Sequence, residues 1–327
     1  MTFTVATSAW SQVGVDVSDA RNADEACTKA GLDWTVVESD LTDDTGSITG
    51  YKSLRRSDNG GLLSVMRNSY TPVNNDVVFR LLDPFIRDRS LTVDTATELE
   101  GGRKVILNFK INDLIADVTK DDPIEGYLNA YNGHDGLLSW GYGFHIYRLW
   151  CMNQQPRALS YQSRSGWQTD GGVVQLANNG KAIKFRHTRN VMEYAKNLPD
   201  IIDLKTRQFN TTLDELRYLA SKPCDLTLFR RILDQTYAPQ IKAGDHKDCT
   251  GLKFYDNLVQ NFDAGVGSEA HRGTLYGAVQ AVAEYHTHQS GRASDEIERA
   301  RKRLNALWFG NGDTAINRCA DTCLTLA

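Results

Sequence analysis

The stretch Tyr51-Lys-Ser-Leu-Arg-Arg-Ser-Asp-Asn-Gly-Gly-Leu-Leu-Ser-Val-Met-Arg67 decides the fold class. Its middle, Ser57-Asp-Asn-Gly-Gly61, contains the Asn-Gly and Gly-Gly pairs that supply the positive φ angles of a tight turn. We therefore predict that residues 51–56 and 62–67 pair as a β-hairpin. Further strand-like runs, joined by short turns, follow at 91–97, at 103–112 and on to about residue 153. Such short connections favour an antiparallel sheet over βαβ units.

From about residue 188 the sequence becomes helical. Thr212-Leu-Asp-Glu215 has the form of a capping box and predicts a helix that begins there, and Asp225 is placed to start another. Other helices are predicted at 23–30, from Asn74 or Asn75, at about 274–289 and at 296–308, with an irregular polar loop at 238–251. The predicted fold is α+β: a curved antiparallel sheet with helices on one face in residues 1–187, followed by a helical region, residues 188–327, packed on it.

The overall composition is that of a globular protein. The chain has 327 residues, 41% of them hydrophobic, a formal net charge of −4 and a pI of about 6.0. This charge argues against a lysine-coated polyanion binder, so any nucleic-acid surface must be a local patch. No run approaches eighteen apolar residues and no signal peptide is visible, so we expect no membrane partner. Six scattered cysteines are typical of reduced thiols, which indicates a cytoplasmic protein. If a phage encodes the chain, the expected compartment is the cytoplasm of the host cell.

One part of the chain departs from this average. Residues 144–192 carry seven Lys or Arg and a single acid, Asp170, with aromatic residues between the cations. The first forty residues have the opposite, acidic bias. A single-stranded nucleic acid needs a positive surface with aromatic rings, because cations follow the phosphates and ring faces stack on the bases. The same pattern also fits an ordinary half-buried sheet with a basic outer face.

The predicted nucleic-acid-binding residues form two groups. Phosphate contacts are assigned to six cations, Arg148, Arg157, Arg164, Lys181, Lys184 and Arg186. Stacking contacts are assigned to three aromatic residues, Trp150, Tyr161 and Trp167. No catalytic residue is predicted among them.

Motifs for nucleotide and phosphodiester chemistry are weak. The chain has no GxxxxGK[ST] loop and no GxGxxG between a strand and a helix. Pro199-Asp200 and Asp245-His246-Lys247 spell a nuclease-like PD…DxK string. That chemistry holds its metal on carboxylates at the end of a β-hairpin, whereas these residues fall in helical or loop sequence. A solvated polar loop is the better interpretation.

Candidate metal ligands are equally sparse. His246, Cys249 and Cys224 lack the two short paired spacings of a structural zinc site. Cys319 and Cys323 stand four residues apart on a terminal helix, where we expect them to pack as small buried hydrophobic side chains. No metal and no cofactor are therefore predicted.

A set of short segments, in order over about residues 10–310, carries a family resemblance: Ala30-Gly-Leu-Asp-Trp34, Arg56-Ser-Asp58, Tyr70-Thr-Pro-Val-Asn-Asn75, Gly102-Arg103, His134-Asp-Gly136, Arg148-Leu-Trp-Cys-Met-Asn153, His187-Thr188 and Gly273-Thr-Leu-Tyr-Gly-Ala278 with Glu284-Tyr285 and His288. They resemble the phage- and plasmid-associated family catalogued as domain of unknown function DUF 932. The resemblance implies a mobile-element setting and no established activity. Gln280 and Ala283 replace the asparagine and threonine associated with the last segment.

A second resemblance concerns residues 23–67 at the level of the fold. A helix, a Gly…Trp step, a strand and a hairpin follow one another there, an order similar to the β-core of the Rad52-type single-strand annealing proteins of phages. It agrees with the basic, aromatic stretch, which was identified independently.

These observations lead to one hypothesis and two rivals. We expect a non-catalytic phage or plasmid DNA-metabolism protein that binds single-stranded DNA on the curved sheet and promotes annealing and recombination, as a homo-oligomeric ring or filament and without a cofactor. The first alternative is a metal-dependent hydrolase of nucleic acid or nucleotide that uses Asp58, His134, Asp135 and His187. The second is a protein-binding inhibitor of a host defence system.

Overall fold

A computed structural model describes residues 10–157, 166–169, 172–177, 182–185, 198–310 and 312–327. These residues form an α+β fold in which a curled antiparallel sheet, a half-barrel, is accompanied by helices in the C-terminal part. The predicted fold class is confirmed. The predicted domain boundary at residue 187 lies in the segment 186–197, outside the described residues.

The strands build two sheets. In chain order they are β1 (Val15–Asp16), β2 (Val36–Thr42), β3 (Ile48–Arg56), β4 (Leu62–Arg67), β5 (Leu91–Leu99), β6 (Lys104–Thr119), β7 (Asp122–Gly133), β8 (Trp140–Arg148), β9 (Asn153–Gln154), β10 (Gly166–Thr169), β11 (Gly172–Ala177) and β12 (Ala182–Phe185). The main sheet has the order β1-β5-β6-β7-β8-β12-β11-β10, with β9 also beside β8, and β2-β3-β4 form the second sheet.

The predicted hairpin is confirmed as β3 and β4. The Arg56 backbone N–H donates to the Gly61 carbonyl at 3.0 Å, and Gly60 has a φ of 69°. That angle lies in the left-handed region, which glycine adopts without the steric cost of a Cβ. The Asn-Gly-Gly sequence therefore sets both the turn and the register of the second sheet.

The helices follow mainly in the second half of the chain. They are α1 (Ala23–Lys29), α2 (Asn75–Phe79), α3 (Asp83–Arg87), α4 (Leu198–Ala220), α5 (Leu226–Thr236), α6 (Ala238–Ala243), α7 (Tyr255–Ala264), α8 (Leu275–Glu284), α9 (Glu296–Trp308) and α10 (Thr314–Leu326). A π-helical turn, Tyr285–Gln289, continues α8. None of the described helices has the length and apolarity needed to span a bilayer.

The middle of the main sheet is buried on both faces. On one face the Lys205 ammonium of α4 lies 5.4 Å from the Phe144 ring centroid. On the other, the Trp308 indole N–H of α9 donates to the Tyr147 hydroxyl at 3.0 Å. All nine residues of β8 are consequently buried, so the alternation that usually separates a core face from a solvent face is absent there.

Two local predictions were wrong. Thr212 does not begin a helix, because α4 already starts at Leu198 and carries Thr212 in its buried interior. The polar stretch 238–251 is not wholly irregular, since it contains α6 and a 3₁₀ turn, Cys249–Gly251. The predicted helix start at Asp225 is confirmed, and the helix predicted from about residue 274 begins at Leu275: the Asp225 and Thr274 side chains each accept a hydrogen bond from a backbone N–H in the first turn of their helix.

Candidate functional site

Two of the predicted phosphate-contacting residues hold ion pairs inside the protein. Arg148 is fully buried, and its Nε donates to Asp122 Oδ1 at 2.6 Å. Arg157 pairs with Asp313, and its side chain is 11% exposed. Guanidinium groups neutralised in this way offer no free charge to a phosphate. In this structure both side chains have a structural role, and their phosphate contacts stay a prediction.

Lys184 and Trp167 lie at the far end of the main sheet, on β12 and β10. Lys184 is half-buried and lies opposite Gly141, and no carboxylate pairs with it in the part of the chain that the structure describes. Trp167 is the register partner of Val174. Both residues therefore belong to the strands at the same end of the main sheet.

The other members of the predicted set have no described position. Tyr161, Arg164, Lys181 and Arg186 lie outside the described residues, as does His187 of the hydrolase alternative. Within the described portion of 144–192, Lys184 is thus the one cation without a carboxylate partner.

Trp150 forms one wall of a pocket of about 660 Å³, which we call the Trp150 pocket. It is lined by Lys120, Asp121, Arg148, Trp150, Val266, Gly267, Glu269 and Ala270. The Trp150 indole N–H donates to the Asp121 carbonyl at 2.6 Å, which fixes the half-buried ring in the wall. Two residues predicted from the sequence, Arg148 and Trp150, therefore do meet at one site.

Arg148 joins this pocket to the loop that precedes α8. Its Nη1 donates to the Val266 carbonyl at 3.1 Å, and its Nη2 donates to the Gly267 carbonyl at 2.8 Å. Gly267 has a φ of 68°, and a Cβ there would lie 3.1 Å from both terminal nitrogens of Arg148. Both the backbone angle and the close approach of the guanidinium therefore require glycine at this position.

Three buried polar side chains lie close to Arg148: Asp122 and Tyr276, which interact with each other, and His271, whose ring nitrogens have no hydrogen-bond partner within the described residues. The His271 and Tyr276 rings lie 5.4 Å apart. Burial raises the pKa of Asp122 against the opposing effect of Arg148, and burial lowers the pKa of His271 to about 3, so this imidazole is neutral. An unpaired buried polar group costs roughly 1–3 kcal/mol, so the His271 ring is the member of this cluster with unused hydrogen-bonding capacity.

Helix α8 holds this region together from behind. Gln280 Nε2 donates to Gln155 Oε1 at 2.7 Å, and Gln280 Oε1 accepts from Asn153 at 3.3 Å. Glu284 Oε2 accepts from the Val266 backbone N–H at 3.1 Å, and burial raises the pKa of Glu284. The segment after β8 and the loop before α8 are thus tied to one buried helix.

The described residues of the hydrolase alternative have separate roles. Asp58 accepts two hydrogen bonds from Arg56, at 3.0 and 2.7 Å. His134 is 1% exposed, and its Nε2 lies 2.9 Å from Asn75 Oδ1. Asp135 accepts two backbone N–H bonds within its own turn. Each residue is therefore accounted for by local structure.

The remaining metal candidates are also dispersed. Among the residues with described positions, no group of three or more His, Cys, Asp or Glu is arranged to hold a metal. Asp245-His246-Lys247 lies in an exposed turn after α6, whereas Pro199-Asp200 lies in α4, and neither piece is on a hairpin. Cys319 and Cys323 are fully buried in α10, as predicted.

Sequence reasoning overlooked Lys120, Asp122 and His271, and it gave Tyr276 no role. Asp122 lies 26 positions from Arg148 and meets it only because β7 and β8 pair. One signal was present: Lys120-Asp121 separates two strand-like runs, and Asp121 has the positive φ, 58°, that Asp tolerates in tight turns. That turn brings Lys120 to the rim of the pocket.

Comparison with known proteins gives the family. The family model described as domain of unknown function (DUF932) matches residues 62–168 and 171–308, which is most of the chain. No curated protein and no solved structure matched the chain, so the likeness to Rad52-type annealing proteins gains no support from them. The chain belongs to the DUF932 family.

Proposed function

We propose that the chain binds single-stranded DNA at the β12–β11–β10 end of the main sheet and promotes strand annealing without catalysis, in a phage or plasmid setting. The observation that carries the proposal is the position of Lys184. It lies half-exposed beside β8 with no carboxylate partner among the described residues, in a stretch rich in cations. An unneutralised cation of this kind supports contact with a phosphate backbone.

Fewer cations are available for phosphate contacts than the sequence suggested. Because Arg148 and Arg157 are paired with Asp122 and Asp313, the free charge is assigned to Lys184 with Arg164, Lys181 and Arg186. A patch of this size is compatible with a net charge of −4 for the whole chain.

Stacking on the bases is assigned to the three aromatic residues of the basic stretch, Trp150, Tyr161 and Trp167. Replacing Trp167 by Ala should then cost about 1–3 kcal/mol of strand affinity with little change in the salt slope, because stacking is not ionic.

The test is a titration of single-stranded oligonucleotides at several salt concentrations. Replacing Arg164, Lys181 and Lys184 by Ala should reduce the slope of log K against log salt by about 0.7 for each lost contact. The matched control replaces three exposed lysines elsewhere, Lys242, Lys247 and Lys253, and changes the net charge by the same amount. Its slope should equal that of the wild type. Equal affinities and slopes for all three proteins would contradict the proposal.

Annealing is tested separately with complementary labelled strands. The wild type should accelerate duplex formation, and the triple variant of the basic stretch should not. The same reactions run with divalent metal address the rival, since metal-dependent cleavage of the strands would favour the hydrolase.

A further inference from the structure

One side of the second sheet, β2-β3-β4, is open to solvent although it carries large hydrophobic side chains. Leu54 and Arg56 of β3 are buried against the rest of the protein, so the residues that alternate with them point outward. The strand register places six residues on this outward surface, which we call the outer face: Val37, Tyr51, Arg55, Leu62, Val65 and Arg67. Its four large hydrophobic side chains are 43–50% exposed.

This concentration of exposed hydrophobic surface is local. Twelve large hydrophobic side chains are at least 40% exposed in the part of the chain that the structure describes. Five of them, the four of the outer face and Ile48 at the start of β3, belong to this one small sheet. Single exposed apolar residues are normal, whereas a contiguous group marks an interaction site. Tyrosine and arginine beside aliphatic side chains are also typical of protein interfaces, so the outer face fits another protein surface.

The charges around the outer face indicate what that surface must carry. Arg55 and Arg67 are exposed, and neither pairs with a carboxylate in the residues whose positions are described. Arg55 lies at the β3–β4 turn, and the β2–β3 loop at the opposite end of the sheet carries the exposed carboxylates of Asp43 and Asp44. Asp43 accepts the Thr45 backbone N–H within this loop, which leaves Asp44 for an outside partner. The same small sheet therefore carries both a cation and the anion that complements it.

A two-fold axis perpendicular to the strands brings these groups together between two copies of the chain. Such an axis lays β3 of one copy antiparallel over β3 of its partner, so the Arg55 end of one sheet covers the Tyr51 end of the other. The Arg55 guanidinium then meets the partner's Tyr51 ring and the partner's acidic loop. Both contacts are attractive, one of them a cation–π contact and the other ionic. Val65, in the row between the two ends, packs in the middle of the interface.

The size of the outer face determines how strong this pairing is. Its strands have 6–9 residues. With strands about 4.8 Å apart and a rise of about 3.3 Å per residue, the face covers roughly 300 Å². A stable interface buries about 800 Å² on each partner, so we expect a weak dimer with a dissociation constant in the micromolar range.

We propose that the outer face of β2-β3-β4 is a self-association surface that joins two copies of this chain about a two-fold axis. The dimer forms without DNA. The inference is independent of the proposed function, because no residue of the outer face belongs to the basic stretch 144–192.

Sedimentation velocity of the full-length protein without DNA, from about 1 to 200 µM, tests the inference. The average mass should rise with concentration from one 36.5 kDa chain towards two. Val65→Asp places a charge in the middle of the interface and should weaken dimerisation by roughly ten-fold or more. The matched control is Ile297→Asp, which adds the same charge at a 48% exposed position on α9 and should dimerise like the wild type. Circular dichroism melting curves check that both variants are folded.

Charge reversal tests the two-fold arrangement itself. Arg55→Glu should weaken the dimer, and adding Asp44→Lys to it should restore dimerisation, because the ionic contact returns with its signs exchanged. A double variant that dimerises no better than Arg55→Glu would overturn the arrangement.

Other results would assign the outer face to a different occupant. A wild type that is monomeric at every concentration, or a folded Val65→Asp that dimerises like the wild type, would overturn the inference. So would a Val65→Asp variant that keeps the mass of the wild type and loses affinity for single-stranded DNA, since the face would then bind nucleic acid. Unchanged strand affinity in monomeric Val65→Asp supports the inference and leaves the proposed function intact.

Discussion

The buried guanidinium of Arg148 hydrogen-bonds to protein groups where an exposed one would hydrogen-bond to water. Its guanidinium is held by Asp122 and by two loop carbonyls at zero exposure. Removing one partner of a buried pair leaves an uncompensated charge, so Asp122→Asn should lower the free energy of unfolding by about 3–5 kcal/mol. Urea denaturation measures this. The double variant Asp122→Leu with Arg148→Met removes both charges and should cost less than Asp122→Asn; a larger loss would contradict this account.

Lys205 is a second buried basic residue, and its charge state differs from that of Arg148. It has no exposure, and its one hydrogen bond is to Gln208 Oε1 at 3.2 Å, with no carboxylate partner among the residues described. Burial, together with the nearby charge of Arg157, lowers the pKa of Lys205 to about 7. The ammonium is therefore already half deprotonated near neutral pH, whereas an ordinary lysine remains charged.

This lowered pKa predicts a contribution to stability that rises with pH. Between pH 7 and the ordinary lysine pKa the unfolded chain binds a proton that the folded chain lacks, so Lys205 alone should raise the free energy of unfolding by about 2 kcal/mol from pH 7 to pH 9. Burial raises the pKa of thiols such as Cys27 and Cys151, which lowers stability over the same range, but it does so equally in the wild type and in Lys205→Met, so the difference between the two proteins reports Lys205. Chemical denaturation at several pH values measures it. The exposed control Lys253→Met should behave like the wild type, and parallel profiles for all three would contradict the assignment.

At the scale of elements, local chemistry explains what the sequence could predict. Asn59-Gly60-Gly61 encodes its turn, and Asp225 and Thr274 encode their helix starts, since each effect acts within a few residues. The helix start predicted at Thr212 was wrong because a sequence with the form of a capping box can also occur inside a longer helix. The burial of Arg148 was not predictable, because every residue of β8 is buried and its partner comes from β7.

The hydrogen bonds that Gln280 makes from the buried helix α8 lead to a prediction at the scale of elements. Gln280 hydrogen-bonds to Gln155 and Asn153 across a buried interface, so Gln280→Leu keeps the volume and removes these bonds to Gln155 Oε1 and Asn153 Nδ2. Each unsatisfied group costs about 1–3 kcal/mol, so the melting temperature should fall clearly. Gln260→Leu on the exposed side of α7 is the matched control and should stay within about 0.5 kcal/mol of the wild type. Similar stabilities for the two variants would show that Gln280 does not bridge the elements.

At the scale of the whole molecule, charge is distributed unevenly. The first forty residues are acidic and residues 144–192 are basic, whereas the formal net charge of the whole chain is −4. A single chain would thus bring an acidic surface near a bound strand along with its basic patch. Side-by-side assembly would line up the basic patches and let the acidic regions face away or meet a neighbour. This reasoning is the basis for expecting a ring or filament.

Assembly on DNA is the prediction that follows. Mass photometry with single strands of about 20 and about 80 nucleotides should show complexes that contain several copies of the 36.5 kDa chain, with more copies on the longer strand. Salt should dissociate them, because each copy contributes ionic contacts. The Arg164, Lys181 and Lys184 triple variant should bind fewer copies, and the Lys242, Lys247 and Lys253 control should match the wild type. One copy per strand at every length and protein concentration would rule out assembly while leaving strand binding itself unaffected.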